Sequence, residues 1–483
     1  MTANPALPFP SSIAVDRLGF FRWGRVAGKV LVTTDGGDWV FLSDPEFVQL
    51  LAGEITEGHP RFAQLHAGGF LRDGLDLEAL AGRLAPRVAH VAHGPDRHVV
   101  TMTRRADDGR VDLDRATAER IVDVALQSTS PSVSFDLQAH TGEPLLNFDG
   151  VRHLVGFART TNERTTGKTL HFTLVSNLSA MTEEMAEWLI ANDVAVRTWL
   201  DGPAEIHEWN RTYTTSGAHA DVVRWIAWFD DRYRELGRDP VVWHVDTRVT
   251  TTRRTLSAWR EVVDEYVARG LRSIHLRPLT PLGFDAGTWQ TIGHTAEEYI
   301  AFYERAFAYI LDLNRGGTDL AEANAAMFLN KILSSGDPTV GDVQSPCSAG
   351  TSEFAYDVDG RVFPGDEARR VDAFGDPMFA LGNVRTLSIP DLVRHPTVRA
   401  IASASLLDAQ PMCADCWNKP YCGISPVMTY VREGNLFGQR PRCFECKEHE
   451  AIARGLFVLL ANENDPATTE ILQRWTADAG QHR

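Results

Sequence analysis

Between residues 97 and 314 the apolar pattern switches back and forth between two periods, and this alternation limits the fold more than any other feature. Strand-like runs fall near His98–Thr103, Ser132–Leu137, Leu170–Ser176, Val194–Leu200, Val241–Val249 and Arg272–Leu276. Helical spacing separates them over Arg115–Leu126, Thr182–Ile190, Ala218–Leu236 and Leu256–Arg269, and returns over Ala296–Leu313 after the last run. Within one such stretch Val222, Ile226, Trp228 and Tyr233 mark the apolar positions of a helix. Strands alternating with helices predict a parallel sheet with right-handed crossovers. Six units fall short of an eight-strand closed barrel, so an α/β fold with a partial (β/α)6 barrel is expected. Its chemistry would sit on the loops at the C-terminal ends of the strands.

The flanks read differently. At 483 residues the chain exceeds one compact core. Residues 1–95 predict a small α+β domain. Lys29–Thr34 and Trp39–Leu42 flank Asp35-Gly36-Gly37-Asp38, a hairpin signal, and Glu46–Leu51 has helical spacing. Such a unit is either a structural cap or a peptide-recognition element that adds a bound peptide to a sheet edge. The barrel occupies 96–335. In 336–483 helical periodicity fades while Gly, Pro and Cys rise, with short strands near Phe354–Val358 and Arg361–Phe363. A loop-rich, metal-stapled domain is expected there.

The net charge of −16 argues against a nucleic-acid backbone or an anionic membrane as partner. No apolar run is long enough to span a bilayer, and MTANPALPFPSS lacks the layout of a signal peptide, so a cytoplasmic location is expected. The first 346 residues contain no cysteine. All six follow: Cys347, then Cys413-x2-Cys416-x5-Cys422, then Cys443-x2-Cys446. CxxC pairs in such a protein favour metal over disulfide. Four thiolates from two short loops suit zinc or a [4Fe–4S] cluster, and the spacing does not choose between them.

Several short motifs sit where strands end. Gly142-Glu143-Pro144 follows the second strand, preceded by Ala139-His140-Thr141. Asn177 closes the third. Asp201-Gly202-Pro203 follows the fourth, with His207, Asn210 and Arg211 close behind. Arg277-Pro278 and Gly283-Phe284 follow the sixth. Taken singly, Gly-Glu-Pro is an ordinary turn capped by Thr141, and His207 is a structural histidine.

Together these motifs resemble a known family. The stretch from about residue 15 to 460 is similar to the B-type maturase of the His-Xaa-Ser system, a radical S-adenosylmethionine (SAM) peptide-modifying enzyme with a SPASM-type C-terminal domain. The resemblance makes Gly142, Glu143, Pro144 and Asn177 a vestigial SAM site. It also exposes a departure. The family's first strand leads into a loop of the form Thr-x-Arg-Cys-Asn-x-x-Cys-x-Tyr-Cys, whose thiolates hold the SAM-chelating cluster. Here the corresponding run is Thr101–Arg110, shortened by deletion rather than substitution. Arg104, Arg105, Asp107 and Asp108 are expected to form a solvated turn at the barrel mouth. No radical SAM cluster is therefore expected, and the resemblance leaves SAM binding open.

In the C-terminal region the resemblance implies one complete auxiliary-type set, Cys413, Cys416, Cys422 and Cys446, with Cys443 as the alternative to Cys446. It would hold a [4Fe–4S] cluster or zinc. A second set keeps Cys347 but has Gly365 and Ser425 where the family has cysteine, so it should be empty and Cys347 a free, partly buried thiol. These losses imply a pseudoenzyme: a scaffold or partner subunit that binds a precursor peptide, an active radical SAM maturase, or both, in the maturation of ribosomally made peptides. The alternative is an active enzyme. It would use either non-radical SAM chemistry through Glu143, Asp201, His207 and Arg277, or the ordinary radical route in a chain from which the cluster loop has been taken out.

Overall fold

The computed structural model describes residues 9–106, 109–140, 142–211, 217–334, 343–462 and 464–479. Near its N-terminus, Arg22–Val26 (β1), Lys29–Thr33 (β2) and Trp39–Leu42 (β3) form an antiparallel sheet in that order. The β2–β3 turn is the expected one. Thr34 N donates to Asp38 O, and Gly37 takes φ +88°, a conformation only glycine adopts without strain. One face, Val30, Val32, Val40 and Leu42, packs on Phe47 and Leu50 of the helix Asp44–Ala52, which opens with a Ser43–Glu46 capping box. The other face carries Leu31 and Phe41 into the main core. There Phe41 and Trp39 meet Phe457 of the C-terminal helix Phe444–Leu460 edge to face.

A large sheet organises the rest. Its strands are Arg97–Ala106 (β4), Gly109–Asp112 (β5), Ser132–His140 (β6), Thr169–Val175 (β7), Val194–Trp199 (β8), Asp246–Thr251 (β9), Ser273–Pro278 (β10), Ala321–Glu322 (β11), Glu353–Tyr356 (β12), Arg361–Phe363 (β13) and Gly382–Asn383 (β14). The order is β11-β10-β9-β8-β7-β6-β4-β12-β13-β14, with β5 paired to β4. The six strands read from sequence are all present and mutually parallel. β12 joins β4 in parallel, so a strand from beyond residue 335 continues the same sheet. On the helix side Phe135, Leu137, Phe172, Leu174, Val196 and Leu276 belong to one apolar core. The opposite face carries Arg97, Asp136, Arg197, Asp246 and Arg248.

Three local expectations need correction. The fifth strand starts at Asp246, not Val241, because Asp239 closes a turn by accepting from Val242 N and Trp243 N. Trp243 instead covers Tyr233 and Arg238. A helix, Phe148–Thr165, lies between β6 and β7 where none was read; Asn147 caps it and it buries Val151, Leu154, Val155 and Ala158. The C-terminal region is not loop-rich. It contains helices Asp366–Ala373, Pro396–Ser405, Pro426–Glu433, Phe444–Leu460 and Pro466–Ala479, with Phe363, Phe379, Ile401 and Val427 in a shared apolar cluster. Short helices broken by Gly and Pro hide their periodicity in a sequence scan. Among the described residues no helix is long and apolar enough to cross a membrane.

Candidate functional site

The rim at the strand ends gathers part of the predicted set. Glu143, almost fully buried, accepts from Ser176 Oγ (2.6 Å) and Leu145 N (3.2 Å) at Oε1 and from Asn177 N (2.9 Å) at Oε2. The structure thus joins the Glu143 carboxylate to the backbone of Asn177. The carboxyl, however, is filled by its own chain. Burial pushes it up to about 7, against the pull of the hydrogen bonds. Asn177 Oδ1 turns back to accept from Ser179 N. Pro144 begins the short helix Pro144–Asn147 and is buried. A Cβ added at Gly142 would meet only ordinary contacts at 3.8 Å, so packing does not demand glycine there. Thr141 lies outside the described residues.

A second network ties the end of β8 to the end of β9. Asp201, fully buried, accepts from Arg211 Nε (2.8 Å) and Nη2 (3.1 Å) and from Thr250 N (2.7 Å). His207 Nδ1 accepts from Asp201 N (3.2 Å), and burial lowers this histidine to about 4. Asn210 donates to Thr250 O (3.2 Å). Asp201 and His207 meet in a brace between loops. Arg277, on β10, comes within electrostatic reach of Arg248 and His275. Glu143 and the Asp201–His207 pair are held in separate hydrogen-bond networks.

The turn expected at the barrel mouth is a β-hairpin. β4 runs on past Thr103 and pairs with β5, matching Arg104 to Val111, Arg105 to Arg110 and Ala106 to Gly109. Arg104 reaches down to Asp357 at 2.7 Å. Asp107 and Asp108 lie outside the described residues.

A feature the sequence reading missed lies below this rim, on the face away from the helices. Glu353 of β12 pairs with Arg97 of β4 (3.1 Å), and Arg97 with Asp136 of β6 (2.7 Å). Asp136 also receives Arg197 of β8 (3.4 Å), which pairs with Asp246 of β9 (2.5 Å). This charged chain draws on five strands and spans six, since β7 lies between β6 and β8. Its signal was visible as polar residues at period two, for example Asp246, Arg248 and Thr250.

In the C-terminal region, Cys413, Cys416, Cys422, Cys443 and Cys446 lie within one another's electrostatic reach. Cys443 and Cys446 share a hydrogen bond that lowers Cys443 to about 7 and raises Cys446. Cys422 Sγ lies 3.7 Å from His449 Nδ1, and burial pushes its thiol up to about 12. The donors are right for a soft metal. Yet among the described residues no three Cys, His, Asp or Glu side chains are arranged to hold a metal ion. Cys347 is elsewhere and is fully rather than partly buried, against Ala355, Phe363 and Val427. Gly365 faces Glu353, and Ser425 caps the helix Pro426–Glu433.

The fold is shared by solved structures of proteins with bound S-adenosylmethionine or a bound peptide. One solved example, anSMEcpe with bound AdoMet, superposes with a TM-score of 0.62 at 17% identity, covering 80% of this chain and 99% of that one. SuiB of Streptococcus suis bound to the precursor peptide SuiA gives 0.51 at 12% identity, covering 90% and 99%. SuiB bound to S-adenosylmethionine gives 0.50 at 12%, covering 89% and 98%. At these identities the likeness establishes the fold. No protein-family model matches the chain, and no curated protein matches it.

Proposed function

We propose that this chain is a peptide-binding subunit in the maturation of ribosomally made peptides, built on the radical SAM maturase fold but unable to form the deoxyadenosyl radical itself. The observation that carries this reading is the β4–β5 hairpin. The chain beyond β4 pairs back on it as a hairpin, and residues 1–346 contain no cysteine to supply the three thiolates of a cluster. A [4Fe–4S] cluster needs such ligands to bind at all. The tied-off Glu143 carboxyl agrees with a SAM site out of use.

Peptide binding rests on the N-terminal sheet. β3 is an outer strand, and beside it lies a cavity of about 450 Å³ lined by Trp39, Val40, Gln64, Arg83 and Arg87. An outer strand next to a groove suits capture of an extended peptide as a further strand. In the C-terminal region Cys413, Cys416, Cys422 and Cys446, or Cys443 in place of the last, would hold one [4Fe–4S] cluster or one zinc. That group would supply structural cross-linking. The rival reading, non-radical chemistry at Glu143, Asp201, His207 and Arg277, is weakened because the first three are engaged in bracing hydrogen bonds.

The test is direct. The anaerobically purified chain, given dithionite and SAM, should release no deoxyadenosine over repeated turnovers. It should co-elute at micromolar concentration with a sibling maturase or with that maturase's precursor peptide. Sustained deoxyadenosine production, or binding to neither partner, overturns the proposal.

A further inference from the structure

We propose that His449 is a positioning residue of the C-terminal thiolate site, its Nδ1–H donating to the sulfur of Cys422 once a metal has replaced the thiol proton. This rests on the reading that these cysteines hold a metal, and it names the side chain that keeps one ligand in place.

The two residues come from different elements. Cys422 follows the short helix Lys419–Tyr421. His449 lies on the helix Phe444–Leu460, three residues beyond Cys446. Positions three apart on a helix are neighbours, so Cys446 and His449 share one side of it. His449 is buried, and its ring meets Phe328 edge to face at 5.6 Å. Gly423, next to Cys422, is pressed onto the backbone of Val343 and Gln344: a Cβ added there would lie 2.4 Å from Gln344 N. The Gly423 carbonyl therefore has little room to swing.

Two donors converge on that carbonyl. His449 Nδ1 stands 3.1 Å from Gly423 O, and Cys422 Sγ stands 3.5 Å from it. A carbonyl oxygen only accepts, so Nδ1 carries a proton. A protonated Nδ1 has no lone pair to offer a metal, which makes His449 a donor at this nitrogen and not a ligand. The same Nδ1 lies 3.7 Å from Cys422 Sγ.

Metal binding changes what Cys422 needs. As a thiol it donates, and competes with His449 for one oxygen. As a metal thiolate it has no proton to give and only accepts. Its sulfur contacts Gly423 O and His449 Nδ1, and of these only the histidine can donate. Lys331 lies within electrostatic reach of the same sulfur, but its ammonium donates to Val343 O. Side chains that orient a metal's ligands in this way are commonly worth about 10–100-fold in metal affinity.

Cobalt(II) titration of the full chain, freed of metal by chelation, tests the idea. The wild-type chain should develop the thiolate-to-cobalt charge-transfer absorption of a sulfur-rich site. His449→Leu, close in volume but without a donor, should bind cobalt about tenfold more weakly. It should also move the band to lower energy, because a thiolate without a hydrogen bond gives up charge more easily. His449→Asn, whose amide nitrogen stands where Nδ1 did, should restore both readouts to near the wild-type values. A packing role would instead favour Leu over Asn. An unchanged band and affinity in His449→Leu overturn the proposal, and so does a loss shared equally by both variants. If the wild-type chain shows no charge-transfer absorption, the metal reading falls and this proposal with it. Peptide capture through β3 and the absence of deoxyadenosine do not involve His449, so their failure beside a positive cobalt result would count against the maturation role alone.

Discussion

Ser176 donates its hydroxyl to Glu143 across 2.6 Å, locking the loop after β6 to the end of β7. Ser176 Oγ in turn accepts from the N–H of Leu178, a buried residue held at φ +63°. That backbone conformation is strained for a bulky side chain and persists only when its surroundings fix it. The carboxyl is thus a keystone of the rim. Glu143→Ala, which strands Leu145 N, Asn177 N and the Ser176 hydroxyl, should destabilise the protein by about 3 kcal/mol in urea unfolding. If the carboxyl instead served a ligand, the unfolding midpoint would hold and calorimetric SAM binding would fall.

Burial makes stability depend on pH in a definite direction. Glu143 and Glu322 are each raised to about 7 from 4.5. Below about pH 4.5 the folded and unfolded chains both hold these protons, and the stabilisation is complete. As pH rises towards 7 the unfolded chain ionises first, so stability is lost. Asp136 and Asp246 act in the opposite sense: their arginine partners hold them down against burial, and their contribution disappears only in acid, below 3.8. The urea midpoint should therefore fall between about pH 5 and 8. Glu322 accepts from Tyr303 Oη (2.6 Å) and Ala325 N (2.7 Å), and Glu322→Gln should flatten that slope.

Asp201 gives a harsher test of the bracing role. It is fully buried and holds Arg211 through two hydrogen bonds. Asp201→Ala leaves a guanidinium without its counter-charge and should cost about 3–5 kcal/mol. Thermal unfolding checks this. His207→Ala should cost less, since His207 supplies this network with a single neutral acceptor.

What the sequence could and could not disclose follows from the kind of signal involved. Period-two and period-3.6 patterns identified β4 and β6–β10, because burial of one face acts on every second residue of a strand. Gly36 and Gly37 marked the β2–β3 turn for an equally local reason. The pairing of β12 with β4 was out of reach: it joins Glu353 to Arg97, and no local pattern encodes a contact of that separation. Arg97, Arg197 and Arg248 could be seen in outline as polar steps along strands, but their pairing depends on side-chain distances. Glu143 was singled out as part of a SAM-binding motif, and its satisfaction by Ser176 could not be read from a motif written for ligand contact.

The cysteines allow the sharpest separation of roles. Cys413, Cys416, Cys422, Cys443 and Cys446 lie within one another's electrostatic reach, whereas Cys347 packs against Ala355, Phe363 and Val427. Metal analysis with acid-labile sulfide should give about four irons per chain for one cluster, or about one zinc. Cys422→Ser should remove that metal and lower the unfolding temperature, because a bound metal adds its binding free energy to folding. Cys443→Ser and Cys446→Ser, measured side by side, identify the fourth ligand as the one whose loss empties the site. Cys347→Val fills nearly the same apolar volume, so it should leave metal content unchanged and shift stability by less than about 1.5 kcal/mol. About eight irons per chain, or metal lost with Cys347, would show that a second cluster forms and that Gly365 and Ser425 are not barriers to it.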